Sequence, residues 1–368
     1  MISRKHIHLS LPLWIVGLAT SNIANAAPFF TCPSGDIIDL AVTTSASCPT
    51  ITPTATSTPT SSHAENEQRI VSDQQTRQVF RQISSYINSR IERDINPEFF
   101  GPSMAVTRGA SADGNSLLPD SLWSAFSWSR LSNDVKANGD FDANIYQTTT
   151  GVDKKFGNFY IGTTLNYAGT SVDINPNTVG GMVGSNHNVG LTPYAAYIIN
   201  KNFFVSALTG YMYSNSSYRG AAPGSEMDAY QSEVDLNGLH VIDQWFMKGK
   251  AGARYIHSHT KTDPVIAGGE IVRDNQDSWT YLAEVEGGYA FKNGLRAFTG
   301  VLYEYNDSSE QNLNGVINVA GKSTFYYSAG ADYSVSNKLS LGAKVQTDLN
   351  NHYVDLTTVT LTARLWFD

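Results

Sequence analysis

The sequence predicts an all-β fold, a transmembrane antiparallel up-and-down β-barrel of about 12 strands. Three observations predict it. Apolar and polar residues alternate with period two through most of residues 121–368. The face opposite the apolar one carries Lys, Arg, Glu and Asp in mid-strand, too polar for the core of a sandwich or a small soluble barrel. Tight turns alternate with longer polar connections, as they do when strands cross a bilayer with short turns on one rim and loops on the other.

Composition agrees. Aromatics make up 11% of the 368 residues, with 19 tyrosines, while only 16% of residues are charged; tyrosine suits sites where one end of the ring is apolar and the other wet. The net charge of −8 provides no basic face for neutralising phosphates, which argues against a nucleic-acid partner. The mean hydropathy is −0.24, and no run of about 18 apolar residues occurs after the N-terminus. Any membrane crossing therefore falls to strands.

At the N-terminus, Arg4 and Lys5 precede the apolar stretch "LSLPLWIVGLA", and Ala24-Asn25-Ala26 forms a small-x-small cleavage site. Residues 1–26 read as an export signal; the apolar run is too short for an anchor, and Pro12 interrupts it. Cys32 and Cys48 follow the expected cut, and such a pair in an oxidising compartment is expected to form a disulfide. Their spacing matches no zinc pattern. The segment "TTSASCPTITPTATSTPTSS" (43–62) is rich in Thr, Ser and Pro and cannot bury enough apolar surface to fold alone. Residues 27–64 are thus expected to be a short exported segment or linker.

Residues 65–94 contain neither Gly nor Pro, and Val79, Phe80, Ile83, Ile87 and Ile91 recur at helical spacing. The apolar stripe is narrow. Arg69, Arg77, Arg81, Arg90 and Arg93 spread around a surface otherwise rich in Gln, Asn and Ser, which suits a polar, confined environment. Residues 95–120 read as a Gly/Ser-rich linker.

From 121 onward the strands begin. Phe159, Ile161, Thr163, Leu165 and Tyr167 share a face opposite Tyr160, Gly162, Thr164 and Asn166, and the phase returns through Phe203–Tyr211, Trp245–Tyr255, Trp279–Tyr289, Leu295–Tyr303, Phe325–Tyr333 and Leu339–Val345. Leu361, Ala363, Leu365 and Phe367 close the series. The strand at "LWSAFSWSR" alternates less cleanly, and its facing stays open. On the polar face Lys248, Lys250 and Arg254 stand one strand away from Glu284 and Glu286, with Glu304 and Asp332 further on. Opposite charges on neighbouring strands can pair across the ladder. Phe159, Phe203, Trp245, Trp279 and Phe291 are expected in interfacial girdles.

A helix followed by about twelve strands and a closing aromatic strand resembles the translocator domain of type V autotransporters of Gram-negative outer membranes. "LWSAFSWSRLSN" resembles the opening strand, "TTTGVDKKFGNFYIGTTLNY" the early hairpin and "VTLTARLWF" the closing strand. The resemblance covers roughly residues 65–368. It implies that the helix lies in the lumen, so that Arg77, Arg81 and Arg90 meet lumenal carboxylates such as Glu284, Glu286, Glu304 and Asp332. It implies a monomer in outer-membrane lipid, delivered by periplasmic chaperones and the barrel assembly machinery, with Leu361, Ala363, Leu365 and Phe367 as the assembly signal. Two departures stand out. Residues 27–64 hold no repetitive passenger, and Asp368 follows the aromatic.

Nucleophile elbows, zinc helices and phosphate loops are missing from the sequence, so no catalytic residue, cofactor or metal is expected. His257 and His259 lie two apart on one strand face and are expected at the rim. A rim protease built from His187, His240, His257 and Asp263 is the enzymatic rival, with nothing to fix its geometry. A translocator, a passive pore and a loop-mediated adhesin remain open. If Phe367 is the assembly cue, Phe367→Ser will lower the outer-membrane level far more than deletion of Asp368, measured by quantitative blotting of membrane fractions; equal effects would show that the cue lies elsewhere.

Overall fold

The computed structural model describes residues 29–31, 37–39, 60–95, 119–133, 141–174, 183–219, 225–261, 276–308, 312–313, 316–317, 323–336, 338–349 and 355–366. Twelve strands form one closed antiparallel barrel. They are β1 (Ser121–Asn133), β2 (Phe141–Phe156), β3 (Phe159–Ile174), β4 (Val183–Ile198), β5 (Phe203–Arg219) and β6 (Ser225–Ile242), followed by β7 (Trp245–Thr260), β8 (Gln276–Ala290), β9 (Leu295–Ser308), β10 (Ser323–Ser334), β11 (Leu339–Asp348) and β12 (Asp355–Trp366). Each strand pairs with its sequence neighbour, and β12 pairs with β1 from Asp355↔Ser132 to Trp366↔Ser121. The barrel wall is left without an edge, as hydrocarbon requires.

The tight turns lie on one rim, together with the start of β1 and the end of β12. Gly157 (φ 61) and Gly294 (φ 85) supply the left-handed backbone in two of these turns, and Asp243 adopts φ 53 in a third. The strands reach further toward the other rim than periodicity suggests. β3 continues to Ile174 and β4 starts at Val183, so more than half of the polar connection "SVDINPNTVGGMVGSNHN" (171–188) is ladder. A ladder needs only backbone pairing, and once a strand leaves the lipid, polar outward side chains such as Ser171, Asp173 and Ser185 no longer mark it as non-strand. Pro193 has no N–H, and the β4–β5 ladder is interrupted there, between the Leu191↔Tyr211 and Tyr194↔Leu208 pairs.

The outward face follows the sequence alternation. Phe159, Ile161, Leu165 and Tyr167 are exposed, as are Phe203, Trp245, Met247, Val285 and Leu361, while Tyr160, Thr164, Asn166 and Arg254 are buried. Phe159, Phe203 and Trp245 lie near the short-turn rim and Tyr167, Tyr211 and Tyr255 near the other. The two rows are thus eight to ten residues apart along a strand, roughly 26–33 Å at about 3.3 Å per residue. Inclined strands bring that close to the apolar band of about 25 Å found in outer-membrane barrels. In β1, Leu122, Phe126 and Arg130 face outward, whereas Trp123, Ala125, Ser127 and Ser129 face inward.

The helix α1 spans Thr60–Ile95, longer than 65–94 at its start. It begins directly after Pro59, the last proline of the Thr/Ser/Pro-rich stretch, because chain beyond that residue carries no further breaker. From Gln75 to Glu92 its side chains are buried around the whole circumference, Ser85 and Ser89 excepted. The helix therefore lies inside the barrel. Residues 29–31 and 37–39 form a small two-stranded sheet in a separate unit, and Asn312–Leu313 pairs with Val316–Ile317 in the β9–β10 connection. Cys32, Cys48, Phe367 and Asp368 lie outside the described residues.

A wall hydrogen-bonded all the way round resists detergent. Extracted protein is expected to migrate faster on a gel unheated than boiled, and identical migration would contradict closure.

Candidate functional site: the helix-filled lumen

An α-helix advances about 100° per residue, so four consecutive positions start four ridges at four-residue spacing. Twelve strands divide the circle at about 30° each. One step of helix thus corresponds to a little over three strands of wall, and each ridge of α1 meets its own sector.

The ridge of Arg77 and Arg81 faces β8 and β9. Arg81 binds Glu304 bidentately, Nε to Oε1 at 3.0 Å and Nη2 to Oε2 at 2.6 Å, and its guanidinium lies 4.0 Å from the Tyr326 ring centroid. Fork geometry of this kind fixes both position and rotation. Glu304 also accepts from Arg254 Nη1 at 3.5 Å. Arg77 donates to Asn306 and, at 3.5 Å, to Thr280.

The next ridge, Gln78, Gln82, Tyr86 and Arg90, faces β12 and the first strands. Arg90 donates to Ser121 Oγ at 3.1 Å and lies 3.2 Å from Asp153. The same carboxylate accepts from Ser121 at 2.9 Å and from Tyr194 at 3.1 Å. Tyr86 packs on Trp123, ring centroids 5.6 Å apart. Trp123 lies over Gly151, where any Cβ would come within 2.4 Å of the indole.

Val79, Ile83, Ile87 and Ile91 form the third ridge. With Phe80 they pack against an apolar sector of Tyr160, Ala168, Tyr194, Ala196, Phe204, Leu208, Met212, Ala229 and Ile256. The fourth ridge turns to β5–β7. Ser84 donates to Asp235 at 2.9 Å, Asn88 reaches Asp235 at 3.4 Å and accepts from Ser206 at 2.9 Å, and Glu92 takes Lys248 at 2.8 Å.

The charged residues expected in the lumen are thus distributed over the wall. Lys248 bridges Glu92 and its cross-strand partner Glu286, both at 2.8 Å. Lys250 and Lys344 each stand 3.7 Å from Glu284. Arg254 departs from the expected pairing with Glu284 or Glu286, and turns instead to Glu233 on β6 at 2.6 Å. Asp332 meets Arg296 of the neighbouring strand. Lumenal side chains of the β7–β8 ladder are Lys250 opposite Glu284 and Lys248 opposite Glu286, which leaves Arg254 opposite Thr280.

Sequence reasoning missed Glu92, Asp153, Glu233 and Asp235. Asp153 and Glu233 share the inward phase of their strands, so alternation could have marked them; Glu92 sits four residues from Asn88 on one ridge. The side chains of Arg69 and Arg93 lie outside the described residues. The rim histidines do not converge. His187 bonds Tyr167 at 3.0 Å, His257 bonds Asp277 at 2.8 Å, and His240 stands at the short-turn end of β6, opposite to the His257 end of β7. Asp263 lies outside the described residues.

Beside the helix a cavity of about 80 Å³ remains, lined by Lys248, Glu284, Arg296, Asp332, Lys344 and Arg364 among others. A second, of about 30 Å³, lies around Glu92 and Lys250. Polar spaces of this size hold a handful of waters.

The family model for the autotransporter beta-domain matches residues 122–346, more than half of the chain. The chain belongs to the autotransporter β-domain family. Comparison with curated proteins at the sequence level gave no match. Among solved structures, this autotransporter barrel is similar to the translocator domain of NalP from Neisseria meningitidis (11% identity, 77% of this chain and 96% of that one, TM-score 0.55). It is also similar to the transport unit of AIDA-I from Escherichia coli (12% identity, 76% and 98%, TM-score 0.56) and to the β domain of Bordetella BrkA (12%, 67% and 100%, TM-score 0.55). At such identities the likeness is one of fold.

The plug in this autotransporter barrel rests on complementary ridges. Deleting 65–94 is expected to raise single-channel conductance clearly in planar bilayers. Arg81→Glu, which sets like charges against Glu304, is expected to cause frequent openings, since an unpaired buried charge costs about 3–5 kcal/mol. An assembled deletion variant that conducts no better than the full chain would contradict the plug.

Proposed function

We propose that this outer-membrane autotransporter-type barrel carries residues 27–59 to the cell surface and then holds them there through the seated helix. The observation that carries this reading is the direction of α1. Its Gln75 end accepts from Asn186 near the long-loop rim, and its Arg90 end meets Ser121 and Asp153 at the short-turn rim. The chain preceding the helix thus joins it at the long-loop end. In an outer-membrane barrel with short periplasmic turns, that end faces outward.

Export begins with the signal at 1–26, and the mature protein works as a monomer in outer-membrane lipid. Chaperones and the barrel assembly machinery deliver it, reading Leu361, Ala363, Leu365 and Phe367. The Cys32–Cys48 pair closes a loop within the exported segment. The small cavities beside the helix disfavour a freely conducting pore. No chemistry is assigned to the lumen, whose charged groups pair with the helix or with one another across the wall.

Protease added to intact cells tests the reading. An epitope tag placed between residues 40 and 58 is expected to be removed while the heat-modifiable barrel survives. A tag that is cleaved only after the outer membrane is permeabilised would place the segment in the periplasm and overturn the proposal.

A further inference from the structure

Eleven of the twelve ladders join strands linked by a turn or loop; the β1–β12 ladder joins two strands at opposite ends of the barrel sequence. It is held by its own hydrogen bonds, without a short covalent connection to keep its strands together when it frays. One ridge of α1 lies along it. Gln78 Nε2 donates to Ser129 on β1 and, at 3.1 Å, to Thr358 on β12, two residues that face each other across the seam and bond one another at 3.0 Å. One turn on, Gln82 accepts from Ser127 of β1 at 2.9 Å. A further turn on, Tyr86 packs on Trp123 and Ala125 of β1, while Arg364 of β12 donates to the backbone oxygens of Tyr86 at 3.4 Å and Ser89 at 3.3 Å. The cross-seam partner of Arg364 is Trp123. The ridge thus touches both strands over about three helical turns.

We propose that α1 closes the barrel: its Gln78/Gln82/Tyr86 ridge holds β12 against β1 and stands in for the covalent connection that this ladder lacks. The helix precedes β1 in the chain, so a β12 bound to α1 is tied to β1 through it. Apart from Trp123 and Arg364, wall residues at the contact are small, Ala125, Ser127, Ser129, Thr358 and Thr360, and this leaves room for two glutamines and a tyrosine. Arg364 reaches helix carbonyls and not a carboxylate, so it grips the backbone whichever side chains the ridge carries. Seating the helix and sealing the seam are then one event. A barrel without its helix stays closed everywhere except at β1–β12, which becomes its weakest ladder. The inference stands on these contacts alone and holds whether or not residues 27–59 reach the surface.

Hydrogen exchange followed by mass spectrometry on the full chain in detergent tests it. Gln78→Ala/Gln82→Ala/Arg364→Gln is expected to raise exchange in β1 and β12 about tenfold or more, with β4–β6 unchanged, because three hydrogen-bonding side chains are lost at one ladder. The control Arg81→Met/Glu304→Met, on another ridge, is expected to leave the seam at the wild-type rate. Ser124→Cys/Ala363→Cys, an outward-facing cross-seam pair, is expected when oxidised to restore slow exchange, and to restore assembly if the triple variant fails to assemble. The proposal is overturned by a seam that exchanges at the wild-type rate in the triple variant, by equal acceleration in the control, by acceleration spread evenly over all strands, or by failure of the cross-seam bridge to rescue.

Discussion

Closure of the backbone ladder is the constraint on which the rest depends. In hydrocarbon an unpaired N–H or C=O costs several kcal/mol, so the sheet has to return on itself. With twelve strands the circumference is set, and with it a lumen too wide to be filled by the wall's own side chains and narrow enough for one helix. A helix in such a space has no solvent-facing side. Every ridge needs a matching sector, and the coincidence of a 100° helical step with about three strands of wall lets four ridges be served at once. Filling and closure are then coupled, since the ridge facing the seam has strand ends on both sides of it.

The four sectors contribute differently. Burial of Val79, Phe80, Ile83, Ile87 and Ile91 against Tyr160, Phe204, Leu208 and Met212 supplies about 1.5–3 kcal/mol per side chain before conformational entropy is charged against it. That attraction is non-directional and tolerates sliding. The ion pairs do not. A buried pair adds little net stability, since desolvation offsets much of the attraction, but a separated one is strongly unfavourable. A slip of one residue rotates the helix by about 100° and carries Arg81 from Glu304 and Tyr326 toward the seam. Apolar packing holds α1 in the lumen; Arg81–Glu304, Arg90–Asp153 and Glu92–Lys248 fix its register.

Much of this was legible in the sequence, for a physical reason. Lipid on one face and a polar lumen on the other impose period two on strands such as Phe159–Tyr167 and Trp245–Tyr255, and that period survives where residue identity does not. The Arg residues of the helix and the Lys and Glu residues of β7–β9 were visible because charge in an otherwise apolar protein is conspicuous. Their partners were not, because pairing is decided by strand register and helix rotation, and neither leaves a mark at the single residue. Arg254 shows this well: its neighbours Lys248 and Lys250 turn toward β8, but Glu233 stands directly opposite it on β6 and offers the shorter path. The strand ends were misjudged for the complementary reason, since beyond the lipid both faces of the ladder are wet and period two fades.

The places where the alternation fails are themselves informative. β1 alternates poorly because Trp123 and Ala125 point inward, where they seat Tyr86, and the inward face of β3–β7 departs from polarity at Tyr160, Phe204, Met212 and Ile256, where the isoleucine ridge lands. These residues would face water in an empty lumen, and their exposure would be as unfavourable as that of any core residue. The inward apolar patches at these positions are therefore the imprint of the plug. The wall sequence carries the imprint of the helix at these positions, beside the polar residues that pair with its other ridges.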